Sequence, residues 1–136
     1  MPARILIADD YDDNRELLRL MLEAEGYVVR EARDGRECVA AALSEVPDLV
    51  LIDLSMPLLD GWGPLRELRA DERTHSIPCV AVTAFSGNHD RQRTLKAGFD
   101  AYLSKPFRAR DLLELVERLL NEHQQIARRS AATVGD

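Results

Sequence analysis

Disulfide chemistry has little material here: the 136 residues include only two cysteines, Cys38 and Cys79. Two thiols make no disulfide framework, and both fall in predicted regular elements, where they read as reduced core residues. Long apolar runs are missing too. None approaches the roughly 20 residues that cross a bilayer. Met1-Pro2-Ala3-Arg4 leads straight into a strand-like run, without the charged and apolar regions of a secretory signal. The chain therefore reads as cytoplasmic, with no membrane partner. Positive charge is in deficit, 18 Lys and Arg against 24 Asp and Glu for a net −6. That argues against direct nucleic-acid binding, which wants a basic face. The seven glycines form no GxGxxG or P-loop pattern. His75, His89 and His123 have no metal-ligand spacing and read as surface residues, and Ser44 and Ser86 sit in no G-x-S-x-G elbow.

What remains has the balance of a globular domain, 46% hydrophobic and 31% charged. Its length suffices to bury a core without metal or disulfide. Five short apolar runs punctuate it: Ile5–Ala8, Tyr27–Val29, Leu49–Ile52, Cys79–Val82 and Ala101–Leu103. Apolar on both faces, they suit strands of a parallel sheet covered on each side. Amphipathic stretches separate them. Leu17, Leu18, Met21 and Leu22 form the stripe of a first helix, with Asp13 and Glu16 as a capping pair and Gly26 as its stop. Asp34 and Glu37 repeat the capping spacing before a second helix, whose face carries Val39 and Leu43 and which Pro47 ends. Trp62, Leu65 and Leu68 mark the third helix, with Trp62 as a packing residue. Leu112, Leu115, Val116 and Leu119 mark the fifth. The fourth, about 89–97, sets only Leu95 and Ala97 among Arg91, Arg93 and Lys96, so loose anchoring is expected. Five β-α units in succession predict a doubly wound α/β fold with helices on both faces and right-handed crossovers. The second run is the least apolar and is expected at a sheet edge. Residues 3–122 form the expected domain. Residues 123–136 are expected to fray, and they leave no length for a second domain.

Four of the five runs end in reactive polar residues: Asp9 and Asp10, Asp53, Thr83, then Ser104 and Lys105. In a parallel sheet all strand C-termini share one edge, where open α/β folds place their ligands. The spacing therefore gathers three carboxylates, the Thr83 hydroxyl and the Lys105 ammonium. Carboxylates without cysteine or histidine make a hard oxygen site suited to Mg²⁺. A carboxylate beside such an ion can attack a phosphoryl group and form an acyl phosphate. Lys105 and Thr83 would then meet the phosphoryl oxygens. Asp53 ends the most apolar run and is the natural nucleophile. Asp12 and Asp13 read instead as helix N-terminal acids. Taken singly, Thr83 reads as a strand-end residue and Lys105 as a surface lysine; their joint placement points to a site.

These residues resemble the receiver domain of bacterial two-component response regulators, of the stand-alone, chemotaxis-regulator-like kind. Asp9-Asp10 is similar to the family's acidic pair, and the segment from Asp53 to Gly61 resembles its D-x-x-M-P-x-x-D-G phosphoacceptor loop. Val82-Thr83-Ala84 and Lys105-Pro106-Phe107 are similar to its fourth- and fifth-strand signatures. The resemblance implies a flavodoxin-like sheet of order 2-1-3-4-5 with five helices. It implies that Asp53 accepts phosphate from a histidine kinase or histidine phosphotransfer protein. Asp10 would bind Mg²⁺ directly and Asp9 mainly through water, with the Ser55 backbone carbonyl as a further ligand. Thr83 and Tyr102 would form a switch that repacks the fourth helix, fifth strand and fifth helix for a protein target. It also makes Lys105–Pro106 a cis candidate, puts kinase specificity around Asn14–Leu22, and leaves a monomer or a weak phosphorylation-dependent dimer. Phe85 offers no polar group to orient water, which favours a long-lived phosphoryl group. The chain would catalyse only its own phosphorylation and dephosphorylation. An aspartyl-phosphate phosphohydrolase and a phosphorylation-independent interaction domain stay open beside this reading.

Overall fold

The computed structural model describes residues 2–54, 62–84 and 88–134, without the side chains of 88–90 and 127–134. The element order is β1 (Arg4–Ala8), α1 (Asp12–Glu23), β2 (Val28–Ala32), α2 (Gly35–Ser44), β3 (Leu49–Asp53), α3 (Trp62–Ala70), β4 (Cys79–Thr83), α4 (Asn88–Ala97), β5 (Ala101–Ser104) and α5 (Ala109–Val134). The strands pair in parallel in the order β2-β1-β3-β4-β5. The least apolar strand thus lies at an edge, and β3 and β4 are buried along their whole length. Pleat parity divides the side chains between two cores. Leu6, Val50, Ile52, Cys79 and Ala81 turn towards Cys38 and Ala42 of α2 and Leu65 and Leu68 of α3. Ile5, Ile7, Leu49, Leu51, Val80 and Val82 turn towards Leu18 and Leu22 of α1 and Leu112 and Val116 of α5.

Two helix faces differ from the sequence expectation. In α1 the buried residues are Arg15, Leu18 and Leu22, while Leu17 is 54% exposed. In α2 they are Cys38, Ala41 and Ala42, and Val39 and Leu43 stand half-buried. Small side chains let α2 lie close on the sheet, and a stripe sought among large residues misses them. The capping pair also moves. Tyr11 is the N-cap of α1 and gives no side-chain cap, since Asp13 already lies within the first turn. At α2 the expected cap forms: Glu37 N–H donates to the Asp34 carboxylate at 2.8 Å. Gly26 closes α1 at φ +92°. Its N–H and that of Tyr27 reach the Glu23 and Leu22 carbonyls at 3.0 and 3.2 Å, a turn that needs left-handed backbone.

Where a frayed tail is expected from His123, α5 continues as helix to Val134. Residues 123–134 are rich in Ala, Arg and Gln and contain neither Pro nor Gly, so nothing stops a good helix former. The fourth helix is as weakly held as expected. Among its described side chains only Thr94 is buried, and Leu95 is 42% exposed. One tie to α3 lies at the rim. Arg93 lies 5.3 Å over the Trp62 ring, which packs edge-on against Phe99 at 5.9 Å.

Candidate functional site

The strand order reverses between β1 and β3, and the C-terminal edge beside that point is where the reactive residues meet. Asp9 follows β1 and is fully buried; Asp10, next in the chain, is half-buried. Asp53 ends β3 and Thr83 ends β4, each 2% exposed. Lys105 follows β5. Main-chain bonds hold these ends together. Leu54 N–H donates to the Val82 carbonyl and Lys105 N–H to the Thr83 carbonyl, both at 2.8 Å, and Asp9 N–H to the Ala32 carbonyl at 3.1 Å. The Lys105 ammonium donates to the Asp53 carboxylate. The Lys105–Pro106 bond is cis.

Asp9 carries the electrostatic tension. One carboxylate oxygen, Oδ1, accepts the Tyr11 N–H at 2.9 Å. The other, Oδ2, is buried and has no hydrogen-bond partner among the described residues. Burial foremost, then the neighbouring Asp53 charge, pushes the Asp9 carboxyl up to about 6, against the lowering pull of the Tyr11 N–H and Lys105. Among the described residues, no three acidic, histidine or cysteine side chains stand ready as a cation cage. Lys105 is drawn onto Asp53 instead. The donor chemistry nonetheless fits a hard dication: among the described residues a buried carboxylate oxygen has no hydrogen-bond partner, and the gathered donors are oxygens.

This predicts opposite pH trends for affinity and for the metal-free fold. Asp9 must be ionised to receive a dication, so Mg²⁺ affinity should fall as pH drops through about 6. Without metal, a carboxyl raised above its ordinary 3.8 lowers stability at neutral pH, and that penalty is relieved as pH falls from about 6 towards 3.8. Calorimetric melting should show Mg²⁺ raising the transition more at about pH 7.5 than at about pH 5. An equal shift at both would contradict the assignment.

The structure thus brings Asp9, Asp10, Asp53, Thr83 and Lys105 to one edge. Ser55, Asp60, Gly61 and Phe85 lie outside the described residues. Tyr102 sits in mid-β5 opposite Ala81. Its ring packs on the α2–α3 side of the sheet, and its hydroxyl is buried without a hydrogen-bond partner among the described residues. The sequence reading missed Arg15, whose guanidinium donates to the Asp9 carbonyl oxygen at 2.8 Å. The signal was its spacing: Arg15, Leu18 and Leu22 fall three and four apart, on one helical face.

The model of the response regulator receiver domain matches residues 5–117, and the chain belongs to that family, whose members are signalling switches rather than classical enzymes. It is 34% identical over 122 residues to the polar-differentiation response regulator DivK of Brucella anthropi, covering 90% of this chain and 99% of that one. It is 42% identical over 106 residues to the response regulator PleD of Caulobacter vibrioides, covering 78% of this chain and 23% of PleD. The chain therefore spans nearly all of one relative and under a quarter of another. Among solved structures, the receiver domain of a Pseudomonas aeruginosa sensor histidine kinase is 34% identical at a TM-score of 0.81, covering 89% of this chain and 99% of that one. That structure holds a magnesium ion coordinated in its active-site cleft. Among the described residues, no helix is long and apolar enough to cross a membrane.

Proposed function

We propose that Asp53 accepts a phosphoryl group from a histidine kinase or histidine phosphotransfer protein, and that the modified chain signals through a repacked α4–β5–α5 surface. The observation that carries this reading is the Lys105–Asp53 contact, a buried carboxylate met by an ammonium at the sheet's ligand edge. In the step, an Asp53 oxygen attacks phosphorus as the bond to the donor imidazole nitrogen breaks. The leaving nitrogen keeps the electron pair and takes up a proton. Lys105 moves from the Asp53 carboxylate to a phosphoryl oxygen, and the Thr83 hydroxyl donates to another. Asp10 would hold Mg²⁺ directly and Asp9 mainly through water, with Asp53 and the Ser55 carbonyl completing the set. When bound, the ion neutralises the charge that the carboxylates and phosphoryl oxygens press on one another.

The fold supplies a route outward. Strand alternation sets Thr83 and Tyr102 on the same face of neighbouring strands, one pleat apart. A Thr83 side chain drawn to the phosphoryl group leaves space beside the Tyr102 ring. The weakly anchored α4 lies against β5 and needs little free energy to shift. The donor has a place to dock. A groove of about 450 Å³ beside Lys105 is lined by Asn14, Leu17 and Met21 of α1 and by Pro106 and Phe107. The proposed switch would work in the cytoplasm, as a monomer or a weak phosphorylation-dependent dimer.

Incubation with acetyl phosphate, followed by intact mass, tests the reading. One phosphoryl group per chain is expected with Mg²⁺, and none with a chelator. Continuous turnover of phosphate esters would favour a phosphohydrolase. Full uptake under chelation would contradict the cation's part.

A further inference from the structure

We propose that Arg15 is a positioning residue that holds the Asp9–Asp10 turn in the shape a dication requires. This rests on reading Asp9 and Asp10 as cation ligands. Arg15 is a charged side chain held at 8% exposure, on the inward face of α1 beside Leu18 and Leu22. Its guanidinium nevertheless reaches the edge of the site. Nη1 donates to the Asp9 carbonyl oxygen at 2.8 Å. Nη2 donates to the Asp12 carboxylate at 2.5 Å. Nε faces the Glu31 carboxylate of β2 at 3.4 Å. Arg19, one turn further along α1, meets the same Glu31 at 3.6 Å. A single planar fork thereby ties the end of β1, the first turn of α1 and the edge strand. The acidic pair lies within that tie, and Asp9 hangs from it by its own carbonyl.

The electrostatics make the role separable from mere charge. A guanidinium beside a cation site repels the incoming dication. Removing it should tighten Mg²⁺ binding if charge were its only effect. If Arg15 instead sets the main chain that presents Asp9 and Asp10, removing it should loosen binding despite the relieved repulsion. The two readings differ in sign.

Magnesium titration of the full chain by calorimetry, with wild type beside Arg15→Met, Arg15→Lys and Glu31→Gln, decides between them. Arg15→Met is expected to weaken Mg²⁺ binding about tenfold, the size typical of a residue that orients ligands from behind. Arg15→Lys should recover only part, because an ammonium cannot span the three contacts of the fork. Glu31→Gln should cost less, and should add little in combination with Arg15→Met, since both act through one guanidinium. Arg15→Lys and Glu31→Gln keep the test alive where Arg15→Met fails to fold. Wild-type binding with an equally tight or tighter folded Arg15→Met or Arg15→Lys overturns the positioning role alone. A wild type that binds no Mg²⁺ overturns the cation site and this role together.

Discussion

Asp53→Asn should leave the chain unable to take up a phosphoryl group from acetyl phosphate, with the fold intact. The amide nitrogen and oxygen of Asn offer no carboxylate nucleophile, and no other acid at this edge ends a central strand. Asp9 already serves the Tyr11 N–H with one oxygen, and Asp10 stands half-exposed beside it. The loss should be complete within the detection of intact mass. The substitution also removes the charge that helps push Asp9 up, so the Asp9 carboxyl should move down towards its ordinary range. Metal-free stability at neutral pH should hold steady or rise, even as Mg²⁺ affinity falls. A stoichiometric adduct on the Asn variant would remove Asp53 from its role.

Lys105→Met is expected to separate rate from site. The phosphoryl group should still land on Asp53, but roughly a hundredfold more slowly, the usual cost of one preorganised charge donor. The metal-free protein should lose stability as well. Asp53 would remain buried without its ammonium, and breaking a buried pair costs about 3–5 kcal/mol. Lys105 is 27% exposed, which pulls the expectation to about 1–3 kcal/mol, since water reaches the pair. Asp9 would rise further, because Lys105 is among the charges that lower it. The pH midpoint for Mg²⁺ binding should therefore climb in the variant. Unchanged uptake, with an unchanged pH profile, would show that the ammonium does no more than fill space.

The sheet was legible because most of its strands are apolar on both faces and four of the five run into a polar residue. Alternation then needs only the rule that parallel strands share a C-terminal edge. That placed Asp9, Asp53, Thr83 and Lys105 correctly. The helix faces were less legible for two physical reasons. Cys38, Ala41 and Ala42 carry little hydrophobic signal, yet they bury because α2 packs close to the sheet. Leu17 looks like core but lines the groove beside Phe107. Arg15 was hidden by its type, since a charged residue is discounted when an apolar stripe is traced. The length of α5 was less legible for a related reason. The apolar stripe fades after Leu120, but helix propensity carries the backbone on to Val134.

The most direct measurement is the location of the phosphoryl group on the wild-type chain after acetyl phosphate and Mg²⁺. Peptide mapping should place a single group on the peptide that carries Asp53, removable by hydroxylamine as an acyl phosphate is. A group stable to hydroxylamine on a serine or threonine, or a chain that binds Mg²⁺ and takes up none, would contradict the account.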